Sequence, residues 1–300
     1  MKQIKYNDIN QMNELFEGVL QRDFNGASIG QVKRAIEHAL GPIPYINWPM
    51  NDSFAVIRAR QIDESREDIT EPKTFGSPPS IETTLGRANL INHPVFYGTF
   101  DDRTAMQEIN APLQSECYVS IWEFINPPHV TTFLSNIDKR NDLFQFNTLV
   151  PKGLPIGLKG GYTEASLGQA LYLRANAFTT KNYEFTSKIA HNIIYNNDAK
   201  SVGLVYPSVV DSYRCNIALH PDFVKSNMKC IRVYKKIWSG AFIFRVLSRG
   251  SLKGNKIVWE ETGTYERDEI DFKYSGGHGP NEIHPDALEI LKQIPDQDEI

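Results

Sequence analysis

The sequence has little of what marks disulfide-rich, nucleic-acid-binding or membrane proteins. Its 300 residues include three cysteines, Cys117, Cys215 and Cys230, and these form no CxxC pair. Neither a disulfide framework nor a cysteine-based zinc site is indicated, so we expect a reducing cytoplasm. The net charge of -4 gives no strong basic field, and we therefore expect no direct binding to nucleic acid.

Long hydrophobic runs are also lacking. No stretch approaches the roughly eighteen apolar residues of a membrane span, and the N-terminus lacks the apolar core of a signal peptide. We expect neither export nor contact with a membrane. Hydrophobic residues at 41% and charged residues at 23% are close to the averages of soluble domains, which argues against disordered and coiled-coil classes.

Helical periodicity opens the chain. Apolar residues follow a helical stripe after the capping-type residues Asn7 and Asp8. A second stripe begins after Ser28 and stops at Gly41, which is followed by proline. We therefore predict a helical cap or accessory domain over residues 1–50.

Strand patterns follow. FAVIRARQI, from Phe54, is a short apolar run in which period-two alternation places Arg58 and Arg60 on one face. Residues 95–100 form a second predicted strand, with its two phenylalanines on one face and Tyr97 on the other. If the phenylalanines enter the core, Tyr97 faces away from it.

Helices and strands then alternate. Asp101 or Asp102 is predicted to cap a short helix in which Glu108 borders the apolar stripe. CYVSIWEFI is a predicted strand, residues 163–197 have helical periodicity, and SVGLVYPS is a strand that stops at Pro207. This alternation indicates an α+β or α/β fold.

The remaining segments have weaker signals. Residues 63–80 are charged and then rich in proline, serine and glycine, which predicts a mobile loop. AFIFRVLSRGSLKGNKIVWEET is typical of two strands joined by a glycine-containing turn. The tail from Ser275 is expected to add one peripheral helix.

The most informative stretch is GRANLINHPVFYGTFDDRTAMQE, from Gly86 to Glu108. It joins a loop arginine, a strand tyrosine and a helix glutamate, and it resembles the RES family, named for arginine, glutamate and serine. Members of that family share a GR-x-N pattern, a short strand ending LY, and then TA-x-x-E. The upstream IRAR and the downstream GLVYPSV resemble the family's arginine strand and serine segment, in the family's order, over roughly residues 54–225.

The resemblance implies an α+β fold with a mixed or antiparallel β core similar to ADP-ribosyltransferases. Together with the patterns above, it predicts a RES-like catalytic domain over residues 51–270 with a helical insertion around 137–199. The resemblance does not explain residues 1–50 or the predicted peripheral tail over 271–300. It also implies a set of site residues: Arg58, Glu108 and Ser208 for catalysis, and Arg87 and Tyr97 for NAD binding, with Arg60 as the alternative to Arg58.

The resemblance further implies an enzyme that degrades NAD by phosphorolysis or hydrolysis, as a toxin paired with an antitoxin protein. NAD is then a substrate and not a recycled cofactor, and phosphate or water is the second reactant. Two alternatives stay open: an ADP-ribosyltransferase with a protein or small-molecule acceptor, and a non-catalytic NAD-binding module. The N-terminal helices and the insertion could serve dimerisation, antitoxin docking or a specialised role such as defence.

The chemistry of these residue types is compatible with that function. A guanidinium fork matches the pyrophosphate of NAD, so Arg58 and Arg87 are candidate anchors. The carboxylate of Glu108 could stabilise positive charge on the ribose or hold a ribose hydroxyl. The ring of Tyr97 could stack on nicotinamide, and Ser208 could hydrogen-bond the ribose or the amide.

Each residue also has a structural interpretation. Arg87 and Glu108 could form an ion pair with each other, Tyr97 could be a core residue, and Ser208 could cap a turn. Other kinds of site have weaker support. The serine lacks a G-x-S-x-G context for a hydrolase triad, no histidine spacing indicates a metal site, and GLKGG at 157–161 is interpreted as a turn.

Overall fold

The computed structural model of the protein describes residues 8–43, 45–50, 54–133, 162, 164–196, 201–211, 214–238 and 243–267. The predicted tail helix, the GLKGG turn and much of the predicted insertion before residue 162 lie outside these residues. The described part contains one ten-stranded mixed sheet with helices packed on it, so the α+β prediction is confirmed.

The α-helices of the described residues are α1 (Ile9–Leu20), α2 (Ile29–Leu40), α3 (Asp102–Glu108), α4 (Glu164–Ala177), α5 (Tyr183–Ile194) and α6 (Pro221–Asn227). The strands are β1 (Ile46–Pro49), β2 (Ala55–Arg60), β3 (Phe96–Thr99), β4 (Glu116–Phe124), β5 (His129–Thr132), β6 (Gly203–Pro207), β7 (Cys215–Leu219), β8 (Met228–Trp238), β9 (Ile243–Lys253) and β10 (Lys256–Arg267). None of the described helices is both long and apolar enough to cross a bilayer.

The sheet has the strand order β1-β5-β6-β7-β3-β2-β4-β8-β9-β10. Neighbouring strands are antiparallel, except for the parallel pair β5 and β6. The ladder between β2 and β3 consists of a single pair, Ile57 with Thr99, whereas β2 pairs with β4 along its whole length. The sheet is therefore weakly joined in its middle, where β2 and β3 meet.

The N-terminal helices form where their capping signals predict. The Asp8 side chain accepts a hydrogen bond from the Gln11 backbone, and Ser28 and Gln31 form a reciprocal capping box. Both helices pack with α4, α5 and residues of β6 in one hydrophobic cluster. The four residues of β1 form an edge strand that the helical interpretation of residues 1–50 did not predict, because its pairing with β5 is not a local signal.

Phe96 and Tyr97 lie on opposite faces of β3, as alternation predicts, but Tyr97 does not face away from the core, because both faces of the strand pack against core clusters. Phe96 and Phe100 belong to a cluster that includes Trp122 of β4, whereas Tyr97 packs against the cluster of the N-terminal helices. Helix α3 covers Ile57 of β2 in a third, smaller cluster. Glu108, the last residue of α3, is thereby carried to the region between β2 and β3.

The loop at residues 63–80 is anchored to the sheet, in contrast to the mobile loop that its composition predicts. Phe75 is 1% exposed and packs against the rings of Tyr118 and Trp259. The Trp259 indole donates to the Ile69 carbonyl. A lone aromatic residue in a polar stretch gives no periodic signal, which is why sequence analysis missed this anchor.

All three cysteines are buried, and none of them forms a disulfide in the described part of the chain.

Candidate functional site

A cavity of about 450 Å³ opens where β2 and β3 separate. This volume lies within the range of about 300–1,000 Å³ that is typical of small-molecule sites. Five of the six site residues predicted from sequence line it: Arg58, Arg60, Arg87, Tyr97 and Glu108. Residues that sequence analysis did not single out also line it, among them Tyr183, Tyr206 and Asn216.

Arg58 bridges the gap between the separated strands. Its Nη1 atom donates to the Tyr97 carbonyl oxygen at 2.8 Å, and its guanidinium carbon lies 5.4 Å from the centroid of the Phe96 ring. Its Nε atom is buried and has no hydrogen-bond partner in the described part of the chain. Burial, and secondarily the charge of Arg60, lowers the pKa of Arg58 to about 9, so the group remains a cation at neutral pH. A desolvated guanidinium without a carboxylate partner favours an anionic ligand.

Arg60 has a different environment, although it lines the same cavity. Its Nη2 atom lies 3.0 Å from the Glu67 carboxylate, and Nη1 donates to the Thr74 carbonyl. Both contacts tie Arg60 to the loop at residues 63–80. Of the two arginines that sequence analysis left open, Arg58 is thus the one whose charge is not already paired.

Tyr97 is fixed at its hydroxyl by the loop that carries Arg87. The hydroxyl accepts from the Ala88 amide at 2.7 Å and donates to Asn89 Oδ1 at 2.8 Å. Burial raises the pKa of Tyr97 well above its usual value, so the phenol is neutral. Because the hydroxyl is fully used in these contacts, the ring is the part of Tyr97 that can interact with a ligand.

Gly86 permits this arrangement. A Cβ atom at this position would lie 2.3 Å from Asn89 Oδ1 and 2.9 Å from the Tyr97 hydroxyl. Both distances are shorter than real contacts of a methyl group, so a larger residue would displace the loop or the tyrosine. Close packing therefore explains why a glycine precedes Arg87 in the GRAN segment.

Arg87 does not form an ion pair with Glu108, which excludes the structural interpretation of that pair. Its guanidinium carbon lies 5.7 Å from the centroid of the Tyr183 ring at the start of α5. The Arg87 Nε atom is buried and lacks a hydrogen-bond partner among the described residues. The cavity thus contains a second guanidinium without a paired carboxylate.

Glu108 presents a carboxylate that is held on one side. Its Oε1 atom accepts from Ser208 Oγ at 2.7 Å and from Asn216 Nδ2 at 2.6 Å. No described residue donates to Oε2, which leaves this oxygen for a ligand. The helix that carries Glu108 is itself fixed, because Asp101 caps it and Asp102 at its first turn forms a buried ion pair with Lys236.

Ser208 lies behind Glu108 and does not line the cavity. Its Oγ atom also accepts from the amides of Val210 and Asp211, at 3.2 Å each. The serine therefore caps a turn, as its structural interpretation predicts, and its hydroxyl also contacts the Glu108 carboxylate. Its hydrogen bond orients the carboxylate. Because Ser208 does not line the cavity, this geometry does not favour direct contact between the serine and a ribose or amide.

The sequence carries different signals for three of the cavity residues that were not predicted. Tyr206 is two positions before Ser208 on a predicted strand, so alternation could have drawn attention to it. Asn216 lies on β7, a strand that was not predicted. Tyr183 comes from a helical segment without a functional motif, and no local signal marks it.

The described residues form an α+β protein with one ligand-sized site. Two guanidinium groups without a carboxylate partner in the described ranges line this site, together with a carboxylate that has one unbonded oxygen and several tyrosine rings. A model of the RES domain family matches residues 57–236, which is more than half of the chain and contains every predicted site residue. The protein belongs to the RES family, which is associated with NAD-related toxin–antitoxin systems, and the domain suggests an enzyme that acts on NAD. No curated protein matches the chain.

Proposed function

We propose that the protein degrades NAD by cleaving the bond between nicotinamide and ribose, as the toxin of a toxin–antitoxin pair. The observation that carries this proposal is the Glu108 carboxylate, with one oxygen held by Ser208 and Asn216 and the other left for a ligand. Such a group is suited to a reaction that develops positive charge on a sugar.

The arginines supply the affinity for a dinucleotide in this proposal. NAD carries a pyrophosphate, and the cavity contains Arg58 and Arg87, neither of which has a carboxylate partner in the described residues. Pairing a desolvated guanidinium with a phosphate oxygen gives a strong, charge-assisted hydrogen bond. The ring of Tyr97, fixed at its hydroxyl, offers a face on which nicotinamide stacks.

The reaction then follows from the position of Glu108. The bond between the anomeric carbon and the pyridinium nitrogen breaks, and its electron pair leaves with neutral nicotinamide. The ribose gains oxocarbenium character, which the negative charge of Glu108 stabilises. An oxygen of phosphate, or of water that loses a proton, forms the new bond to the anomeric carbon. The product is ADP-ribose 1-phosphate in the first case and ADP-ribose in the second.

An antitoxin partner is expected to act by blocking this cavity. Loss of NAD would stop growth, so an unblocked enzyme must be controlled wherever it shares a compartment with NAD. Occlusion of the cavity mouth would prevent substrate from reaching Glu108 and both arginines at once.

The test is nicotinamide release by the purified protein, measured by chromatography with and without phosphate. We expect release by the natural protein, and a kcat lower by about 100- to 1,000-fold in Glu108→Gln, because the charge is lost. The glutamine can still accept from Ser208 and Asn216, so the fold is retained. Glu123→Gln is the matched control, since Glu123 is exposed on β4 and does not line the cavity.

Two results would contradict the proposal: no nicotinamide in either condition, or equal activity of Glu108→Gln and the natural protein. Transfer of labelled ADP-ribose to a protein in a lysate, with no free ADP-ribose or ADP-ribose 1-phosphate, would replace it with the ADP-ribosyltransferase alternative.

A further inference from the structure

Tyr206 is a buried tyrosine whose hydroxyl has no hydrogen-bond partner in the part of the chain that the structure describes. The residue lies on β6, is 2% exposed, and its ring packs 5.3 Å from the ring of Phe178. No residue in the described ranges forms a hydrogen bond with its hydroxyl. Buried tyrosine hydroxyls usually have a partner, because an unsatisfied one costs about 1–3 kcal/mol.

The hydroxyl is open to the cavity instead. Tyr206 is one of the cavity-lining residues, and its oxygen is not among the side-chain atoms that are sealed from solvent, unlike the Nε atoms of Arg58 and Arg87. A tyrosine that is almost wholly enclosed, with its polar end reaching a ligand-sized space, is arranged to meet a ligand.

The strand register places Tyr206 beside the carboxylate. Tyr206 of β6 pairs directly with Asn216 of β7, so both side chains leave the same face of the sheet. The Cβ atoms of such a pair are about 4.5–5.5 Å apart. Asn216 donates to Glu108 at 2.6 Å, and a molecule bound to the free oxygen of Glu108 therefore lies close to the Tyr206 side chain.

The phenol remains protonated in this environment. Burial, followed by the nearby Tyr97 and the Glu108 carboxylate, raises the pKa of Tyr206 well above its usual value. A neutral phenol next to a carboxylate can donate its proton in a hydrogen bond to an uncharged oxygen of the ligand.

We propose that Tyr206 is a substrate-binding residue whose hydroxyl donates a hydrogen bond to a hydroxyl oxygen of the ribose that Glu108 holds. The identity of this sugar, the ribose attached to nicotinamide, rests on the proposed function. The contact between Tyr206 and a ribosyl group does not rest on the proposed function, because ADP-ribose presents the same sugar without a bond to cleave.

The first test measures ADP-ribose binding by calorimetry for the natural protein and Tyr206→Phe. One neutral hydrogen bond predicts affinity lower by about 3- to 10-fold in the variant. The melting temperature should not fall, because the hydroxyl has no partner to lose among the described residues and the ring packing is retained. Tyr234→Phe is the control: its hydroxyl accepts from Arg232 at 3.1 Å outside the cavity, so this variant should lose a little stability and no affinity.

The second test uses NAD analogues that lack either the 2′- or the 3′-hydroxyl of the nicotinamide ribose. Tyr206→Phe should lower kcat/KM for NAD by a similar factor and lose its effect on the analogue without the contacted hydroxyl. An equal loss on NAD and both analogues overturns the proposal. So does unchanged ADP-ribose affinity, no binding by the natural protein, or a lower melting temperature that reveals a structural partner for the hydroxyl. Binding of ADP-ribose through Tyr206 without any release of nicotinamide would instead refute the proposed function and support this inference.

Discussion

Replacing Ser208 by alanine distinguishes a residue that orients the carboxylate from one that reacts with the substrate. The Ser208 hydroxyl lies 2.7 Å from Glu108 Oε1 and does not line the cavity. The variant removes one of two donors to the same oxygen, since Asn216 still contacts it at 2.6 Å. The carboxylate should therefore become less well oriented while remaining in place.

The expected loss follows from the kind of hydrogen bond removed. A hydrogen bond to a charged group contributes about 1.5–3 kcal/mol, and each 1.4 kcal/mol corresponds to about a tenfold change in rate. Because Asn216 remains, the lower end applies, and we expect kcat for nicotinamide release to fall by about 10- to 50-fold. KM should change little, because the interaction acts on the developing charge and not on the pyrophosphate.

The assay compares steady-state kinetics of Ser208→Ala, Asn216→Ala and the double variant. Both donors act on one oxygen, so removing the second should cost more than removing the first, and the two losses should not be additive. Ser115→Ala is the control, because the Ser115 hydroxyl donates to the Pro112 carbonyl in a loop and does not line the cavity. Melting curves of each variant show how much stability is lost because Ser208 no longer caps its turn, so that this loss is not mistaken for an effect on the carboxylate.

Two outcomes would refute this reasoning. A loss above about 10⁴-fold in Ser208→Ala alone would indicate that the serine takes part in the chemistry itself. A loss below about twofold would show that its hydrogen bond does not control the carboxylate.

Three further substitutions test the remaining parts of the cavity. Gly86→Ala should lower the free energy of unfolding by about 1–3 kcal/mol, because the added Cβ displaces Asn89 or Tyr97. For the same reason it should raise KM more than it lowers kcat. Unchanged kinetics and an unchanged melting temperature would contradict this prediction. Arg58→Lys should raise KM for NAD by about 10-fold or more, whereas Arg60→Lys should raise it by less than about 3-fold, since the charge of Arg60 is already paired. Steady-state kinetics measure both effects. Equal effects would contradict this distinction, and the reverse order would make Arg60 the anchor.

Features that depend on local sequence could be predicted. The caps at Asp8 and Ser28, the helix that ends at Glu108, and the alternation around Tyr97 all arise from contacts within a few residues. The same holds for the turn between β9 and β10, where Gly254 has a φ of 62°. Local rules therefore placed most side chains of the site on the correct element and the correct face.

Features that depend on distant parts of the chain could not be predicted from the sequence. Asn216 contacts Glu108 across 108 positions of sequence, and the strand that carries it was not predicted. Ser208 was recognised, but its role depends on which carboxylate it meets after folding. The pairing of Arg60 with Glu67 needs the loop to fold back on β2, and nothing in the composition of that loop indicates its anchor at Phe75. The resemblance supplied the identities of Ser208 and Arg60. The structure supplied Asn216, Glu67 and Phe75, and the geometry of all five residues.

The location of Glu108 is itself an argument for function. It is the last residue of α3, at the end of a helix where the unsatisfied carbonyl groups carry partial negative charge and disfavour a carboxylate. No lysine or arginine pairs with it in the described residues, and the groups that satisfy its Oε1 are the neutral donors Ser208 and Asn216. Neutral donors fix the orientation of a carboxylate without cancelling its charge, whereas an ion pair would do both. The cavity thus contains one carboxylate and two guanidinium groups that are not ion-paired in the described residues, an arrangement that does not favour stability. A ligand with an anionic pyrophosphate and a reacting sugar that becomes cationic would pair with the guanidinium groups and with the carboxylate.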